Sequence, residues 1–158
     1  MRKLAGIVVV LAVAAGACSS SSGGSESGER PASSSTTVAD LDAATLRVGD
    51  SAIGKVLTDA DGMTLYEYVP NEKNATSQVP ESALAAWPPL VAEGPVTLGT
   101  GLTAQGAAAK QPNGEEWVTY NGRLVYRYAG DTQPGDVSGN AIGDVWYALT
   151  PAGEPVQS

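Results

Sequence analysis

The Asn-Gly pair at residues 121–122 is the feature of this sequence that most constrains its fold. It separates two short runs rich in aromatic and β-branched residues, WVTY before it and RLVY after it. Both central positions of a type I′ turn need a positive φ, which Asn and Gly tolerate best, so the pair predicts a two-residue β-hairpin. A turn this short fixes the register, with Tyr120 opposite Arg123 and Thr119 opposite Leu124.

The register divides this hairpin into two faces, because side chains alternate along a strand. We expect one face to lie in the core and the other to face solvent, with Glu116 opposite Arg127 as an outward pair. The expected core face holds Trp117, Thr119, Leu124, Tyr126 and Tyr128. The expected outer face holds Glu116, Tyr120, Arg123 and Arg127.

A second hairpin with the same plan lies earlier in the chain, in the stretch KVLTDADGMTLYEY from Lys55 to Tyr68. Its turn is Asp-Ala-Asp-Gly, in which Gly62 suits the left-handed bulge position of a three-residue hairpin loop. The register then predicts three pairs: Thr58 with Thr64, Val56 with Tyr66, and Lys55 with Glu67. The sequence therefore predicts one β-ribbon that is present in two copies.

Each copy continues beyond its hairpin to a tryptophan at nearly the same offset, Trp87 in AAWPPL and Trp146 in DVWYAL. We expect each Trp to open a closing strand, so that the copies span about 53–91 and 115–150. Between the copies, we expect a strand at about 106–110 that joins the second hairpin through a turn at Gln111–Gly114.

These elements predict an all-β fold, in which two related antiparallel β-hairpin repeats pack into one small domain over residues 45–158. The chain has no Phe, so three Trp and six Tyr supply every aromatic ring of the core. The positions predicted to be structural are Gly62, Trp87, Trp117, Asn121, Gly122 and Trp146.

The N-terminus, MRKLAGIVVVLAVAAGAC, has the form of an export signal, with a basic start, an apolar run and then small residues. The apolar run is too short to cross a bilayer as a helix, which needs about 20 residues. A Cys directly after Ala-Gly-Ala resembles the lipobox of bacterial lipoproteins, which implies that residues 1–17 are removed and Cys18 is lipidated. Ordinary secretion with an incidental Cys is the alternative.

The stretch that follows Cys18 is rich in Ser and Gly and lacks aromatic residues and apolar periodicity. Such a segment buries too little apolar surface to offset the entropy of ordering it. We therefore interpret residues 18–44 as a lipidated Cys followed by a disordered tether.

Charge and composition exclude several functions. With 9 Lys and Arg against 17 Asp and Glu, the formal net charge is -8, which disfavours binding to a phosphate backbone. His is absent and Cys18 is the single Cys, so the folded part lacks the commonest general base, the commonest metal ligand and any thiol chemistry. We expect no nucleic-acid partner, no enzyme activity, no catalytic residue, no metal and no cofactor.

The stretches VLTDADGMTLYEY, AWPPL, VTYNGRLVYRYAGD and PGD, together with the late Trp, resemble the secreted-repeat lipoproteins, a bacterial family with a Tyr-x-aromatic-x-x-Asp motif. The second copy carries the whole motif, and the first has Asn in place of its Asp. The motif residues are Tyr66, Tyr68 and Asn71 in the first copy, and Tyr126, Tyr128 and Asp131 in the second. The resemblance implies an exported envelope protein, in a family of unknown function.

Two acidic groups are candidates for cation binding. Asp131, Asp136 and Asp144 lie in a Gly-rich stretch that could surround a hard cation. Asp59 and Asp61 resemble the opening of a calcium loop, although Asp and Gly are favoured in such turns for backbone reasons alone. The tyrosine cluster could stack a flat ligand or carry electrons, or it is simply core.

The sequence favours a membrane-tethered binding or interaction module of the cell envelope, held by its lipid on the outer face of the bacterial cytoplasmic membrane. Its partner, an envelope component or a small ligand, and its oligomeric state stay open. The alternative is an accessory carrier for a metal or redox ligand, which would use residues 131–144 beside the tyrosines. The least favoured hypothesis is an envelope-polymer hydrolase with Glu115 and Glu116 as paired carboxylates, because adjacent strand residues point to opposite faces.

Overall fold

The computed structural model of the chain describes residues 45–157. The predicted signal peptide, Cys18 and the tether up to residue 44 lie outside the described residues. No helix in the described part is long and apolar enough to cross a membrane.

The described residues form short β-strands and two single 3-10 turns, with no α-helix between residues 45 and 157. The strands pair into three small antiparallel sheets, β1 with β2, β3 with β7, and β4 with β5 and β6. This architecture confirms the all-β prediction. The strands are β1 (Leu46–Ser51), β2 (Gly54–Asp59), β3 (Tyr66–Tyr68), β4 (Gly106–Lys110), β5 (Glu116–Tyr120), β6 (Arg123–Leu124) and β7 (Trp146–Ala148), and the 3-10 turns are Val69–Asn71 and Glu81–Ala83.

Both predicted hairpin turns are present. In the second copy Thr119 lies opposite Leu124 and Tyr120 opposite Arg123, and Asn121 and Gly122 have φ values of 52° and 76°. Two successive positive φ angles are what a type I′ turn requires. In the first copy Thr58 bridges to Thr64, and Gly62 has a φ of 83°, so the bulged loop is confirmed as well.

Beyond these turns each hairpin opens, and the predicted pairing of Val56 with Tyr66 is wrong. Tyr66 instead pairs with Tyr126 of the other copy, through reciprocal hydrogen bonds from N–H to C=O of 2.8 and 2.9 Å. Val56 lies opposite Gly49 in β1. The two copies are therefore joined backbone to backbone at equivalent residues, which makes them neighbours across an approximate twofold axis.

The closing strands explain why the hairpins open. In the first copy Leu57 donates its N–H to the carbonyl of Leu149 (2.7 Å), and Leu149 donates to Leu65 (3.1 Å). In the second copy Val118 and Val125 make the same two bonds with Leu90, at 2.8 and 3.0 Å. Each closing segment thus enters between the two strands of the other copy's hairpin, and it forces those strands apart.

We call this insertion of each closing segment into the other copy's hairpin the exchange. It brings the tryptophans of the two closing segments into contact. Trp87 and Trp146 stack with their ring centroids 3.9 Å apart and their planes parallel. Tyr128 lies on the outer side of Trp87 at 4.4 Å, and Tyr68 on the outer side of Trp146 at 4.8 Å. Trp146 begins β7 as predicted, whereas Trp87 precedes a segment joined to its neighbours by single bridges at Pro89 and Val91.

Both faces of the ribbons are buried, so the prediction of an outward-facing Tyr120 is wrong. The expected core face packs in one cluster with Tyr66, Trp87 and Trp146. Tyr120 is fully buried in a second cluster, because the segment between the copies folds over the other face. That second cluster contains Leu46, Leu57, Leu65, Val118, Tyr120, Val125 and Leu149.

The two outward charge pairs predicted from the hairpin register do not form. Lys55 binds Asp50 at 2.8 Å, and Glu116 lies opposite Lys110. The other members pair between copies, Glu67 with Arg123 and Arg127 with Asp59. The cause is again the opening of the hairpins, since Glu67 and Arg127 belong to the strands that leave their own hairpin.

Arg127→Ala should destabilise the protein by about 2 to 4 kcal/mol, because it leaves the buried carboxylate of Asp59 without its ion pair. Urea denaturation followed by circular dichroism measures the loss. Lys55→Ala is the matched control, and removing this exposed pair should cost about 0 to 1 kcal/mol. Equal losses in the two variants would contradict the observed pairing.

Candidate functional site

The family motif links the two copies through buried side chains. The hydroxyl of Tyr66 donates to Oδ2 of Asp131 at 2.6 Å, and Nδ2 of Asn71 donates to the hydroxyl of Tyr126 at 2.9 Å. Each bond joins the motif tyrosine of one copy to the last motif residue of the other. Both tyrosines are fully buried, so these hydroxyls depend on protein partners.

The last motif residue also holds the loop that follows it. Oδ1 of Asp131 accepts the backbone N–H of Ser138 at 2.9 Å, and Oδ1 of Asn71 accepts that of Gln78 at 2.7 Å. Asn can replace Asp in the first copy because it accepts from the loop and donates to the tyrosine. The motif is thus a structural link between the copies.

Burial raises the pKa of the Tyr66 phenol well above its ordinary range, and its hydrogen bond to Asp131 raises it further. Burial also raises the pKa of Tyr126. Both phenols therefore stay protonated at neutral pH in the folded protein, since a phenolate would be desolvated there.

The predicted cation residues are occupied by other contacts or lie apart. Both carboxylate oxygens of Asp131 accept hydrogen bonds, and Asp136 accepts from Thr132 and Gln133. The backbone N–H of Thr132 and these further donors hold the pKa of Asp136 below its usual range. Asp144 is exposed, with a φ of 55°. Within residues 45–157 no group of three or more Asp or Glu side chains could hold a metal ion.

Glu115 and Glu116 do not form a paired-carboxylate site. Oε2 of Glu115 accepts the indole N–H of Trp117 at 2.9 Å, and this bond, with a second from Asn113, holds the pKa of Glu115 below its usual range. A general acid needs the opposite shift. Glu116 is exposed and lies opposite Lys110.

Asp59 and Asp61 belong instead to an ion-pair site with Arg127. Oδ1 of Asp59 accepts the backbone N–H groups of Asp61 and Met63 at 2.9 and 3.0 Å, while Oδ2 pairs with Nε of Arg127. Nη2 of Arg127 binds Asp61 at 3.0 Å. Burial raises the pKa of Asp59, although Arg127 opposes the effect. Sequence patterns within one hairpin could not reveal this site, because its members come from both copies.

A cavity of about 440 Å³ lies against this ion pair, and we call it the Arg127 cleft. One wall is the turn of the first hairpin, and the opposite wall is the backbone segment 90–94. The side chain of Arg127 is 38% exposed and lines the same cavity. The lining residues are Thr45, Asp59, Ala60, Asp61, Leu90, Val91, Ala92, Glu93, Gly94 and Arg127.

The corresponding place in the other half of the molecule is filled. There Tyr120 occupies the position of Asp59, and its hydroxyl donates to the carbonyl of Pro151. Asn121 donates to the carbonyl of Gly153 at 3.1 Å and to Glu154 at 2.9 Å. The second hairpin turn therefore packs against the turn at residues 150–153, whereas the first hairpin turn leaves a cleft. The sequence indicates this difference between the turns by its change from Tyr120-Asn121 in the second copy to Asp59-Ala60-Asp61 in the first.

A second cavity, of about 430 Å³, lies where the end of the first copy meets the start of the second hairpin, and we call it the Trp117 cleft. Trp117 occupies the position that Val56 has in the first copy. The cleft is bounded by the loop at residues 77–84 and by the Gln111–Gly114 turn. Its lining residues are Ser77, Val79, Glu81, Leu84, Gln111, Pro112, Asn113 and Trp117.

Comparison with protein families supports the resemblance drawn from the motifs. Residues 107–150 match a family described as a secreted repeat of unknown function. The match covers the second copy from β4 to the residue after Leu149, and it indicates an exported protein. No curated protein and no solved structure gave a match.

The role of the motif residue is tested by two substitutions at Asp131. Asp131→Ala should cost about 2 to 4 kcal/mol, because the Tyr66 hydroxyl and the Ser138 N–H are left buried without a partner. Asp131→Asn, which reproduces the first copy, should cost less than half as much. Denaturant unfolding measures both. An equal loss in the two variants would mean that charge, and not the hydrogen-bond link, is what the position supplies.

The buried phenols should make the fold sensitive to alkali. The folded-state pKa values of Tyr66 and Tyr126 exceed the unfolded value of about 10, so their contribution is complete below that pH and falls as pH rises, by about 1.4 kcal/mol per unit for each. Tyrosinate absorbance and circular dichroism recorded together should show part of the ionisation coinciding with unfolding. Tyr126→Phe should reduce the slope of stability against pH above 10, and an unchanged slope would contradict the assignment.

Proposed function

We propose that this chain is a binding module of the bacterial cell envelope, exported, anchored by a lipid on Cys18, and using the Arg127 cleft as its binding site. The observation that carries the proposal is the difference between the two halves of the fold. One half closes the region between its hairpin turn and the following segment with Tyr120 and Asn121, and the other leaves it open.

The filled half indicates that this ribbon does not need a cleft in order to fold. The same ribbon in the second copy fills its counterpart with an aromatic side chain that is fully buried. At the position of Tyr120 the first copy has Asp59, whose buried carboxylate costs desolvation free energy that the aromatic side chain does not. Clefts with a few fixed polar groups and an apolar wall are the usual form of small-ligand sites.

The polar groups of the cleft are held in place before any ligand arrives. Asp59 and Asp61 form ion pairs with the guanidinium of Arg127. Asp59 is itself held by hydrogen bonds from two backbone N–H groups. Such preorganisation reduces the entropy lost on binding. The donors of Arg127 and the carboxylates beside it form an alternating set, which suits a ligand with neighbouring hydrogen-bond donors and acceptors.

The charge of the cleft narrows the class of ligand. Its lining carries Asp59, Asp61 and Glu93 against the single Arg127, so an anion would meet net repulsion. Leu90 and Val91 add an apolar wall. We infer a neutral or cationic ligand that bears hydroxyl or amine groups, as envelope components commonly do.

The carrier alternative has less support. It relied on the acidic residues 131–144, and Asp131 and Asp136 already use both carboxylate oxygens in hydrogen bonds within the protein. Tyr66 and Tyr126 are closed off from solvent, and this favours a role in the core over one in stacking a flat ligand. The hydrolase alternative lacks a carboxyl group with a raised pKa at Glu115.

Site-specific photo-crosslinking in the native host tests the binding site and captures whichever ligand occupies it. The full-length chain would carry a photo-reactive residue in place of Ala60, which lines the cleft. The matched control carries it in place of Ala108, an exposed residue of β4. We expect a discrete adduct from position 60 that is absent from position 108.

Two further variants complete the experiment. Val91→Trp fills the cleft from a position that is 45% exposed, and it should abolish the adduct while leaving the unfolding midpoint unchanged. Cell fractionation of the same cultures tests the anchor, since Cys18→Ser should move the protein from the membrane to the soluble fraction. The same adducts from both positions would overturn the site, and membrane retention of the Cys18→Ser protein would overturn the anchor.

A further inference from the structure

The Trp117 cleft is separate from the Arg127 cleft, because the two share no lining residue. It is built from the loop at residues 77–84, the Gln111–Gly114 turn and Trp117, which have no role in the proposed site. Trp117 is also the one tryptophan that the internal repeat does not explain, since Trp87 and Trp146 correspond to each other and Trp117 corresponds to Val56. A ring at this position is a feature of the second copy alone.

The walls of the Trp117 cleft are fixed by a buried amide. Oε1 of Gln111 accepts the N–H of Ser77 at 3.2 Å, and Nε2 donates to the carbonyls of Ala75 and Ala109 at 2.7 and 3.2 Å. Gln111 is 5% exposed, so its amide ties the loop before residue 84 to the end of β4. The cleft therefore keeps its shape without a ligand.

The indole that lines the cleft is fixed as well. Its N–H donates to Oε2 of Glu115 at 2.9 Å, and the same oxygen accepts from Nδ2 of Asn113 at 2.7 Å. Both amide side chains that line the cleft thus have their hydrogen-bonding groups engaged within the protein. What the cleft offers to a ligand is an apolar surface and negative charge.

The apolar surface and the charge lie next to each other. The apolar part is supplied by the indole, Val79, Leu84 and Pro112, and Glu81 supplies a carboxylate on the lining. A second carboxylate, that of Glu115, binds the indole N–H. None of the residues that line the cleft is Lys or Arg. An apolar stem that ends in a positive charge would contact the first part and neutralise the second.

We propose that the Trp117 cleft binds an aliphatic ammonium group, either the lysine side chain of a partner protein or a free polyamine. Both sources share one chemistry, a chain of methylene groups with a terminal ammonium. A guanidinium is suited to bidentate pairing and to stacking, whereas the single carboxylate on the lining suits the compact charge of an ammonium on a flexible stem. Binding at the Trp117 cleft does not depend on the function proposed for the Arg127 cleft, because the two clefts share no lining residue.

NMR titration of the full-length chain tests the proposal through the indole N–H signal of Trp117, which is identified by its loss in Trp117→Phe. The probe is 1,5-diaminopentane. Two matched ligands separate its features: 1,5-pentanediol has the stem without the charge, and ammonium chloride has the charge without the stem. We expect a saturable shift of the Trp117 signal with the diamine, and at least about tenfold weaker binding of the other two, a difference of about 1.4 kcal/mol.

Substitution at the carboxylate supplies the second test. Glu81→Gln should weaken binding of the diamine about three- to fivefold, the effect of losing one partly exposed ion pair. Glu72→Gln, at an exposed glutamate that does not line the cleft, is the control and should leave binding unchanged. Equal binding by both variants, equal binding of the diol, or no saturable shift at all would overturn the proposal.

A final pair of titrations distinguishes the two sources. A short peptide with one central lysine and blocked ends represents a partner protein, and spermidine represents the free polyamines. Tighter binding of the peptide assigns the cleft to a protein partner, and tighter binding of spermidine assigns it to a polyamine. The absence of binding by both would contradict the inference even if the diamine bound.

Discussion

The structure depends on one backbone contact, the reciprocal hydrogen bonds between Tyr66 and Tyr126. They pair equivalent residues of the two copies, so neither hairpin continues its own pairing beyond the bonds of Leu57 with Leu65 and of Val118 with Val125. Each hairpin therefore receives the closing segment of the other copy, through Leu149 in one and Leu90 in the other. The stacked tryptophans and the motif links between tyrosine and Asp or Asn follow from the same exchange, which makes each copy incomplete without its neighbour.

An approximate twofold arrangement also gives each residue an internal reference. Where the copies agree, the shared feature serves the fold, as for the motif tyrosines and the central Trp pair. Where they differ, the same fold accommodates two different residues at corresponding positions, as for Asp59 and Tyr120 or Trp117 and Val56. Both clefts lie at such points of difference. The comparison of the two halves thus separates the positions at which the fold repeats a residue type from those at which it accepts different ones.

Local sequence chemistry predicted what is local in the fold. Residue type and the alternation of side chains predicted the turn at Asn121–Gly122, the bulge at Gly62 and the burial of the tyrosine face. The exchange was not, because a closed hairpin and an open one have the same pattern of alternating side chains. For the same reason the partner of Arg127 was misassigned, and Tyr120 was placed in solvent although the chain between the copies covers it. The Arg127 cleft could not be predicted from either copy alone, because residues of both copies line it.

The exchange between copies is tested most directly by amide-to-amide NOEs in the folded protein. An antiparallel pair joined by two reciprocal hydrogen bonds brings its two amide protons close together, because both N–H groups point across the same ring. We expect a strong NOE between the amide protons of Tyr66 and Tyr126, with slow exchange of both. Pairing of Tyr66 with Val56, and of Tyr126 with Trp117, would show two self-closed hairpins and contradict the account.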